Sequence, residues 1–563
     1  MKNDTNKGWT RRAALSAGGL GVLGGAASCA PKIEARSNVP VNGSFQHGIA
    51  SGDPLSDQVI LWTCITKGGG SLRWEIATDP EFAFVVKSAE SAVAGGKIVP
   101  VKVDVYGLKP ATEYYYRFIR GENISMTGRT KTLPVGNVDQ ISIAVVSCSN
   151  HPAGYFHSYA HLATADPVDV VLALGDYIYE YGLGGYATEF AEELRRVPEP
   201  KHECVSYDDY AKRYAQYHRD TDLQAAHAVA PWILTWDDHE SANDSWKGGA
   251  QNHDASTQGP WAARESASLK AFYDWTPTRE PQNGLPLTAN YRRFDFGNLA
   301  SLTMLETRLS GRSEPITFDQ FPVPNDADPN DNQVQEKLRV FEQEVLGDET
   351  RRMLGDKQSE FVANALQTSV AGGQKWQIIG NQTLFAEIRS PDYMKTLPAW
   401  LKWIVKRSEP LYYQYFQRSR LNPLLNLDSW DGYPAARERF YNKAKEAGAN
   451  LLVVTGDTHD FMAADLKDRK GNRIGTELGT SGVSSPGNFA YVSAPGVNFG
   501  ELTEKKNPDL LLHDTKYTGY IRMLVKPDEV LADFISTSDV RQINWSAKTE
   551  YSFVVTQNEI LKV

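Results

Sequence analysis

Four apolar runs in this 563-residue chain each end in side chains that bind metal ions. Ile141–Val146 leads to Cys148, the run 168–174 to Asp176 and Tyr179, the run 232–236 to Asp237, Asp238 and His239, and Leu451–Thr455 to Asp457 and His459. The donor types say which ions such a set would hold. Carboxylate and phenolate are hard, anionic donors, so Asp176 beside Tyr179 suits a highly charged, oxygen-loving ion such as ferric iron, and a thiolate from Cys148 would add charge neutralisation. Carboxylates without soft partners, as at Asp238, suit calcium or another hard divalent ion. A carboxylate such as Asp176 can bridge two ions. Paired ions lower the pKa of bound water, orient it for in-line attack and neutralise charge on phosphorus oxygens, which is phosphoryl-transfer chemistry.

Such donors must be delivered by the elements before them. Short apolar runs without alternation read as strands covered on both faces, and in open α/β sheets ligands bind beyond the carboxyl ends of the strands. Each ending also has a bland explanation. Gly-Asp after a strand is often only a turn, Cys148 could be a small buried hydrophobe, and Asp237-Asp238-His239-Glu240 could cap a helix with acids favoured by its dipole. Four such endings in one chain are harder to explain that way.

Length and composition bound the rest. The chain is long enough for two or more domains. Its net charge of −10 argues against an electrostatic nucleic-acid binder, so no nucleic-acid-binding surface is expected. Thr10-Arg11-Arg12 precedes a weakly apolar stretch that ends near Ala27, the pattern of a twin-arginine signal over residues 1–29. It implies the twin-arginine export machinery and a periplasmic, surface or secreted location. Ala26-Ala27-Ser28-Cys29 resembles a lipoprotein processing site, which would place a lipid anchor on Cys29; ordinary cleavage is the alternative. Cys64, Cys148 and Cys204 then remain, an odd number, and a bridge between Cys64 and Cys204 is left open.

Residues 43–135 alternate in short strands with Gly- and Pro-containing turns, as in a small β-sandwich, and Leu108 to Tyr116 resembles the tyrosine corner of fibronectin type III domains. After a linker at 136–140, strands alternate with helices through an α/β domain at 141–556. Tyr207, Tyr210, Tyr214 and Tyr217 recur along one face of a helix, as packing requires. His157 and His161 could hold a metal but suit a solvated helix face better. The acidic loop at 325–332 fails the EF-hand pattern, with Asp331 where Gly is needed and Lys337 where Glu is needed.

Longer blocks carry a resemblance to a known family. Phe45 to Pro54, Leu61-Trp62-Thr63, Gly175 to Tyr181, Trp236 to Glu240, Trp430-Asp431-Gly432-Tyr433 and Gly456-Asp457-Thr458-His459 are similar to the alkaline phosphatase D (PhoD-like) family of the metallophosphoesterase superfamily. The resemblance implies a four-layer αββα sandwich behind an all-β fibronectin/Ig-like sandwich, with Fe3+ and Ca2+ as cofactors. It implies that Cys148, Asp176, Tyr179 and Asp457 hold iron and that Asp176 and Asp238 hold calcium, with His459 or Asp457 in the last iron position. It further implies that His239 assists the phosphate or leaving group, and that Arg308 lies in a block similar to the family's Asp-Thr-Arg. Arg308 could clamp a phosphate or form a surface salt bridge. The chain departs from the family at Cys64, where Arg is usual, and at Glu306, where Asp is common. The first bears on how the N-terminal unit docks, the second on how Arg308 is held.

The expected activity is an exported phosphoesterase that hydrolyses small-molecule or polymeric phosphate esters by direct attack of a metal-bound hydroxide. Phosphodiesterase or phospholipase-type cleavage in the same fold is the alternative. Two further rivals are a non-catalytic surface-binding lipoprotein and a serine- or threonine-dependent zinc phosphatase; the second would leave Cys148 and Tyr179 unexplained.

Overall fold

Strand-forming runs dominate the chain, and in the computed structural model, which describes residues 43–563, they assemble into three sheets. The proposed signal segment and Cys29 lie outside the described residues. In chain order the strands are β1 (Ile49–Gly52), β2 (Gln58–Thr66), β3 (Ser71–Ala77), β4 (Val85–Ala92), β5 (Ile98–Tyr106), β6 (Glu113–Arg120), β7 (Asn123–Ile124) and β8 (Gly128–Lys131). Then follow β9 (Ile141–Val146), β10 (Val170–Leu174), β11 (Trp232–Thr235), β12 (Arg292–Phe296), β13 (Ala300–Met304), β14 (Trp376–Gly380) and β15 (Leu451–Thr455). The last are β16 (Phe461–Lys467), β17 (Arg473–Gly479), β18 (Leu510–Asp514), β19 (Thr518–Val525), β20 (Val530–Thr537), β21 (Ala547–Val555) and β22 (Ile560–Lys562).

Two of the sheets carry the site. A ten-stranded sheet runs β22-β21-β20-β19-β9-β10-β11-β1-β2-β5, with β9, β10 and β11 parallel, and a seven-stranded sheet runs β12-β13-β14-β15-β17-β16-β18, with β13, β14 and β15 parallel. Side chains alternate across a strand, and here both faces are apolar because both are covered. Ile143 and Val145 of β9 pack with Leu172, Leu302, Ile378 and Val454 between the two sheets. Ala144 and Val146 point to the opposite side, with Tyr210 and Tyr214 of helix Tyr207–Tyr217 and Leu269 and Phe272 of helix Trp261–Trp275. Beyond the seven-stranded sheet, Ile379 and Val453 pack with Val362 and Leu366 of helix Asp356–Ala371 and Phe440 of helix Pro434–Ala447.

The N-terminal strands do not form a detached unit. β3, β4, β6, β7 and β8 make the third sheet, but β1, β2 and β5 extend the ten-stranded one, with β1 parallel to β11 and Gly52 paired to Trp232. A separate core fills the space between them, from Val59 and Leu61 of β2 and Val105 of β5 to Trp74, Ile76 and Tyr116. The tyrosine-corner contact is present: Lys109 N–H donates to Tyr114 Oη at 2.9 Å. Docking on the other side uses Trp62, whose Nε1 donates to Asp274 O at 2.9 Å, and Lys102, whose Nζ donates to Tyr273 O and Thr278 O at 2.8 Å each. Cys64 is buried in that helix-facing core, which explains how an uncharged residue serves at its position. Cys64 and Cys204 are free thiols, both buried, so they are not bridged. Tyr210, Tyr214 and Tyr217 are buried, as the packing reading expects; His161 Nδ1 bonds Tyr520 Oη at 2.9 Å, and His157 is buried rather than solvated.

Asp53 joins these parts. It lies at the end of β1 in a left-handed conformation (φ 43°), accepts from Arg279 N–H at 2.8 Å and pairs with Arg292 at 2.9 Å. Breaking a buried ion pair by removing one partner leaves the other charge uncompensated. Asp53→Ala is therefore expected to lower the unfolding free energy by about 3 kcal/mol in denaturant titration, while Arg73→Ala, whose side chain is half exposed, should change it by less than about 1 kcal/mol.

Candidate metal centre

The carboxyl ends of β9, β10, β11, β13 and β15 bring their next residues into one place. Cys148, Asp176 and His459 offer ligand atoms that lie within 4.8 Å of one another, as do Asp176, Asp238 and His239, and as do Asp237, Asp238 and Asp457. The three groups share Asp176 and Asp238, so they form one continuous cluster. Cys148, Asp176, Tyr179 and Asp238 are almost fully buried.

Sharp turns aim these side chains. Cys148, Asp176, Asp457 and His459 have φ of 61°, 54°, 65° and 59°, a left-handed conformation that costs a non-glycine residue about 1 kcal/mol or more and concentrates at functional sites. Gly175 (φ 101°) and Gly456 let the turns approach. A Cβ at Gly175 would meet Asp237 at 2.4 Å, and one at Gly456 would meet Ser147 Oγ at 2.3 Å. Glu240 ties two turns together by accepting from Asp176 N (3.0 Å), Tyr177 N (2.6 Å) and Asp237 N (2.8 Å).

Each ligand is oriented by a further contact. Tyr179 Oη donates to Asp176 Oδ2 at 2.9 Å and receives a hydrogen bond from Ser485 Oγ at 2.7 Å. His459 Nδ1 lies 2.9 Å from the Pro486 carbonyl and so carries the hydrogen there, leaving the Nε2 lone pair, 3.1 Å from Tyr179 Oη, on the ligand side. His239 Nδ1 bonds Glu180 Oε2 at 2.8 Å, and its ring lies against Tyr179 with centroids 4.3 Å apart. Glu180 is held in turn by Asn243 N–H at 2.9 Å and Asn252 Nδ2 at 3.0 Å.

Arg308 is not placed as a surface residue. It is fully buried: its Nε donates to Asp237, Nη1 donates to Asp428 at 2.6 Å, and Nη2 lies 3.5 Å from Asp457 and 3.7 Å from Asp238. Its guanidinium balances the carboxylate cluster from behind, and this use of its donors departs from both the open phosphate clamp and the surface salt bridge. Glu306 holds the turn, accepting from Trp236 Nε1 at 2.9 Å and from the amides of Arg308, Leu309 and Ser310 at 2.9, 2.7 and 2.7 Å.

Electrostatics show how loaded the cluster is. Burial, then the neighbouring Asp176 charge, pushes the Cys148 thiol well up, and burial, then Asp237, does the same to Asp457. Burial raises Asp176 strongly and Asp237 to about 6. Asp238 alone is driven down, to about 2, where Arg308 and His239 outweigh its burial. Glu240 and Asp244 are raised to about 8 by burial. His459 is lowered to about 4 by burial and is neutral, whereas His239 is raised, its burial overcome by Asp238, Glu180 and Asp176.

These donors fit cations. Asp176 Oδ1, Asp237 Oδ2 and Asp238 Oδ1 are buried acceptors without a hydrogen-bond partner, and buried oxygens of that kind are ordinarily paired or bound to metal. From sequence, Asp237 is named only as one of the strand-end donors, with no ion assigned to it, and Asp428, Glu180, Glu240 and Ser485 carry no assigned role. Asp237 and Glu240 carry a signal, because they stand in the same motif as Asp238 and His239. Asp428 and Ser485 lie in loops with no apolar run before them and gave none.

Residues 143–534 match the family described as PhoD-like phosphatase, and residues 28–134 match PhoD-like phosphatase, N-terminal domain. The chain is 33% identical over 534 residues to alkaline phosphatase D of Bacillus subtilis (strain 168), which covers 92% of this chain and 81% of that protein. A solved structure of PhoD aligns with a TM-score of 0.73 at 30% identity, covering 95% of this chain and 93% of that one. With its strand-end cluster and these likenesses along nearly its whole length, the chain belongs to the PhoD-like phosphatases and is a phosphoester hydrolase.

Proposed function

We propose that the chain is a metal-dependent phosphoesterase holding ferric iron and calcium, and that it acts outside the cytoplasm after twin-arginine export. The observation that carries the reading is the convergence of a thiol, a phenol, four carboxylates and two imidazoles from four strand ends. Cys148, Asp176, Tyr179 and His459 would hold the iron, and Asp176, Asp238, Asp237 and Asp457 the calcium. His459 is preferred to Asp457 for iron because its Nε2 groups with Cys148 and Asp176, whereas Asp457 groups with Asp237 and Asp238. When bound, such ions supply Lewis acidity toward a phosphate oxygen and an activated water as nucleophile.

The side chains do the rest. Arg308 opposes protonation of Asp237, Asp238 and Asp457, most effectively at Asp238, and holds Asp237 in position; it is a positioning residue. Glu180 fixes His239 Nδ1, and the proton that His239 holds is available from Nε2 to the leaving oxygen. No serine or threonine nucleophile is required. We propose the same architecture as for the family, a four-layer αββα sandwich over 141–556 and an Ig-like sandwich over 43–135. The core shared by the two large sheets and the helices on their outer faces support the first, and the tyrosine-corner contact supports the second. Among the described residues no helix is long and apolar enough to cross a membrane, and a lipid anchor on Cys29 remains the proposed means of attachment. Monoesters are the proposed substrates and phosphodiesters the second choice.

Metal analysis of the purified protein with its visible spectrum tests the centre. Iron and calcium should co-purify with a visible absorption band from the Tyr179 phenolate, and Tyr179→Phe should lose that band while staying folded. Colourless, iron-free protein with full activity would remove iron from the account. His239→Gln should lower turnover of a chromogenic phosphomonoester roughly hundredfold or more with metal content unchanged; retained turnover excludes the proton-donor role.

Cation-stripped protein should also show a particular pH dependence. Asp237 rises from 3.8 to about 6, and Glu240 and Asp244 rise to about 8. Acids raised on folding bind more protons in the native state, so their contribution is present at low pH and is lost as pH rises through those values. Buried histidines lowered on folding, among them His459 and His47 to about 4 and His227 to about 3, act in the opposite sense below about pH 6.5. Stability of the stripped protein should therefore fall between about pH 6.5 and pH 8, and calcium should flatten the profile while releasing protons. A stability that rises over that window would contradict the proposed charge crowding.

A further inference from the structure

Away from the metal-binding turns, one surface is unusual for its exposed apolar side chains: the hairpin of helices Ala399–Ser408 and Pro410–Ser419. The first helix is apolar on two sides. Leu401 and Val405, four residues apart, are buried with Tyr393, Phe416, Phe489 and Phe499. Trp400, Trp403 and Ile404, at the three- and four-residue spacing of another face, are 49%, 59% and 42% exposed, and Leu411, which opens the second helix, is 62% exposed. A surface helix ordinarily turns polar residues outward, and clustered large apolar groups in water mark an interaction surface.

Charge says what the surface meets. Between residues 393 and 420 stand Lys395, Lys402, Lys406, Arg407, Arg418 and Arg420 against Glu409 alone, in a chain whose net charge is −10. Cations and aromatics share the surface: Arg407 lies 4.7 Å from the Trp403 ring centroid and Lys406 Nζ 5.4 Å from that of Tyr413. The field of the acidic remainder is screened beyond a Debye length of about 10 Å.

We infer that this hairpin docks the protein on an anionic lipid bilayer. Tryptophan settles at the headgroup level, where one side of its ring is dry and the other wet. Lys and Arg stems lie along apolar surface while their heads reach lipid phosphates. A helix with Trp and Leu on one side and cations beside them lies in the interface plane without spanning it. A protein partner fits less well, because Lys is depleted from protein interfaces.

Docking would also place the metal-binding turns near the lipid surface. Tyr412 Oη donates to Asn488 O at 2.7 Å, and Asn488 Nδ2 donates to the carbonyl of Thr458, between Asp457 and His459, at 3.0 Å. Phe489 stacks on Phe499 with centroids 4.4 Å apart and packs on Tyr393. The hairpin thus abuts the loop that borders the cluster. Docking itself does not depend on which ions the cluster holds.

Vesicle flotation tests this, using the full chain with Cys29→Ser so that no acyl anchor contributes. The parent, W400S/W403S and K406Q/R407Q are compared on vesicles of phosphatidylcholine with phosphatidylglycerol and on phosphatidylcholine alone. The parent should float with the anionic vesicles and be released by salt. Its partition should drop about tenfold or more in the Trp variant and about fivefold for each cation removed. Hydrolysis of a soluble phosphomonoester should stay at the parental level in all three, which separates failure of docking from failure of the phosphoesterase reading. Equal flotation of parent and W400S/W403S, or no flotation of either, overturns the inference. So does self-association of the parent in sedimentation velocity that W400S/W403S abolishes, because a second copy would then cover the face.

Discussion

Negative charge held out of water is the constraint on which the rest of this structure turns. Asp176, Asp237, Asp238 and Asp457 offer oxygens within 4.8 Å of their neighbours in the cluster. At that spacing two unit charges repel by roughly 3 kcal/mol at an effective dielectric of about 20. The buried positive charges beside them are those of Arg308, a protonated His239 and, acting on Asp238, Arg312, fewer than the carboxylates they face. The remainder must be met by protons or by cations, and the raised pKa of Asp176, Asp237 and Asp457 records the first solution. Binding a cation exchanges the one for the other.

Groups that repel stay together only if the scaffold is stiffer than the repulsion. Here the stiffness comes from strands buried on both faces, with β9, β10 and β11 parallel in one sheet and β13, β14 and β15 parallel in the other. The connecting turns are then over-determined. Glu240 receives three amides from two turns, and Glu306 receives three amides and an indole N–H. That density of hydrogen bonds offsets the left-handed conformations of Cys148, Asp176, Asp457 and His459. Glu306 in place of an aspartate is accommodated because its longer side chain spans the turn from Trp236 to Ser310.

Local pattern made the scaffold legible. The runs 141–146 and 451–455 are strands with those boundaries, and those at 168–174 and 232–236 differ only at their ends. Full burial on both faces leaves few readings for a short unbroken apolar run. The site residues that closed those strands were legible for the same reason. What could not be read was pairing over distance. Nothing in Ile49–Gly52 says that it will lie beside Trp232, and so the N-terminal strands looked self-contained. Asp428 and Ser485 were invisible because loops without periodicity carry no sign of what they face. Arg308 was found, but its environment was not: a guanidinium after a strand can meet a ligand or its own carboxylates, and the choice is made by Asp237 and Asp428 from distant segments.

The two histidines of the cluster show how such distant contacts set chemistry. His459 has a carbonyl on Nδ1, the phenol of Tyr179 at Nε2 and burial enough to keep it neutral at ordinary pH, so its lone pair is free to ligate. His239 is buried as well, but the carboxylates of Asp238, Glu180 and Asp176 outweigh its desolvation and hold a proton on it. An imidazole that keeps its proton is a poor ligand and a good acid. One residue type is thereby divided between metal binding and proton donation by whether a carbonyl or a carboxylate stands behind the ring, and the roles we assign to His459 and His239 follow from that difference.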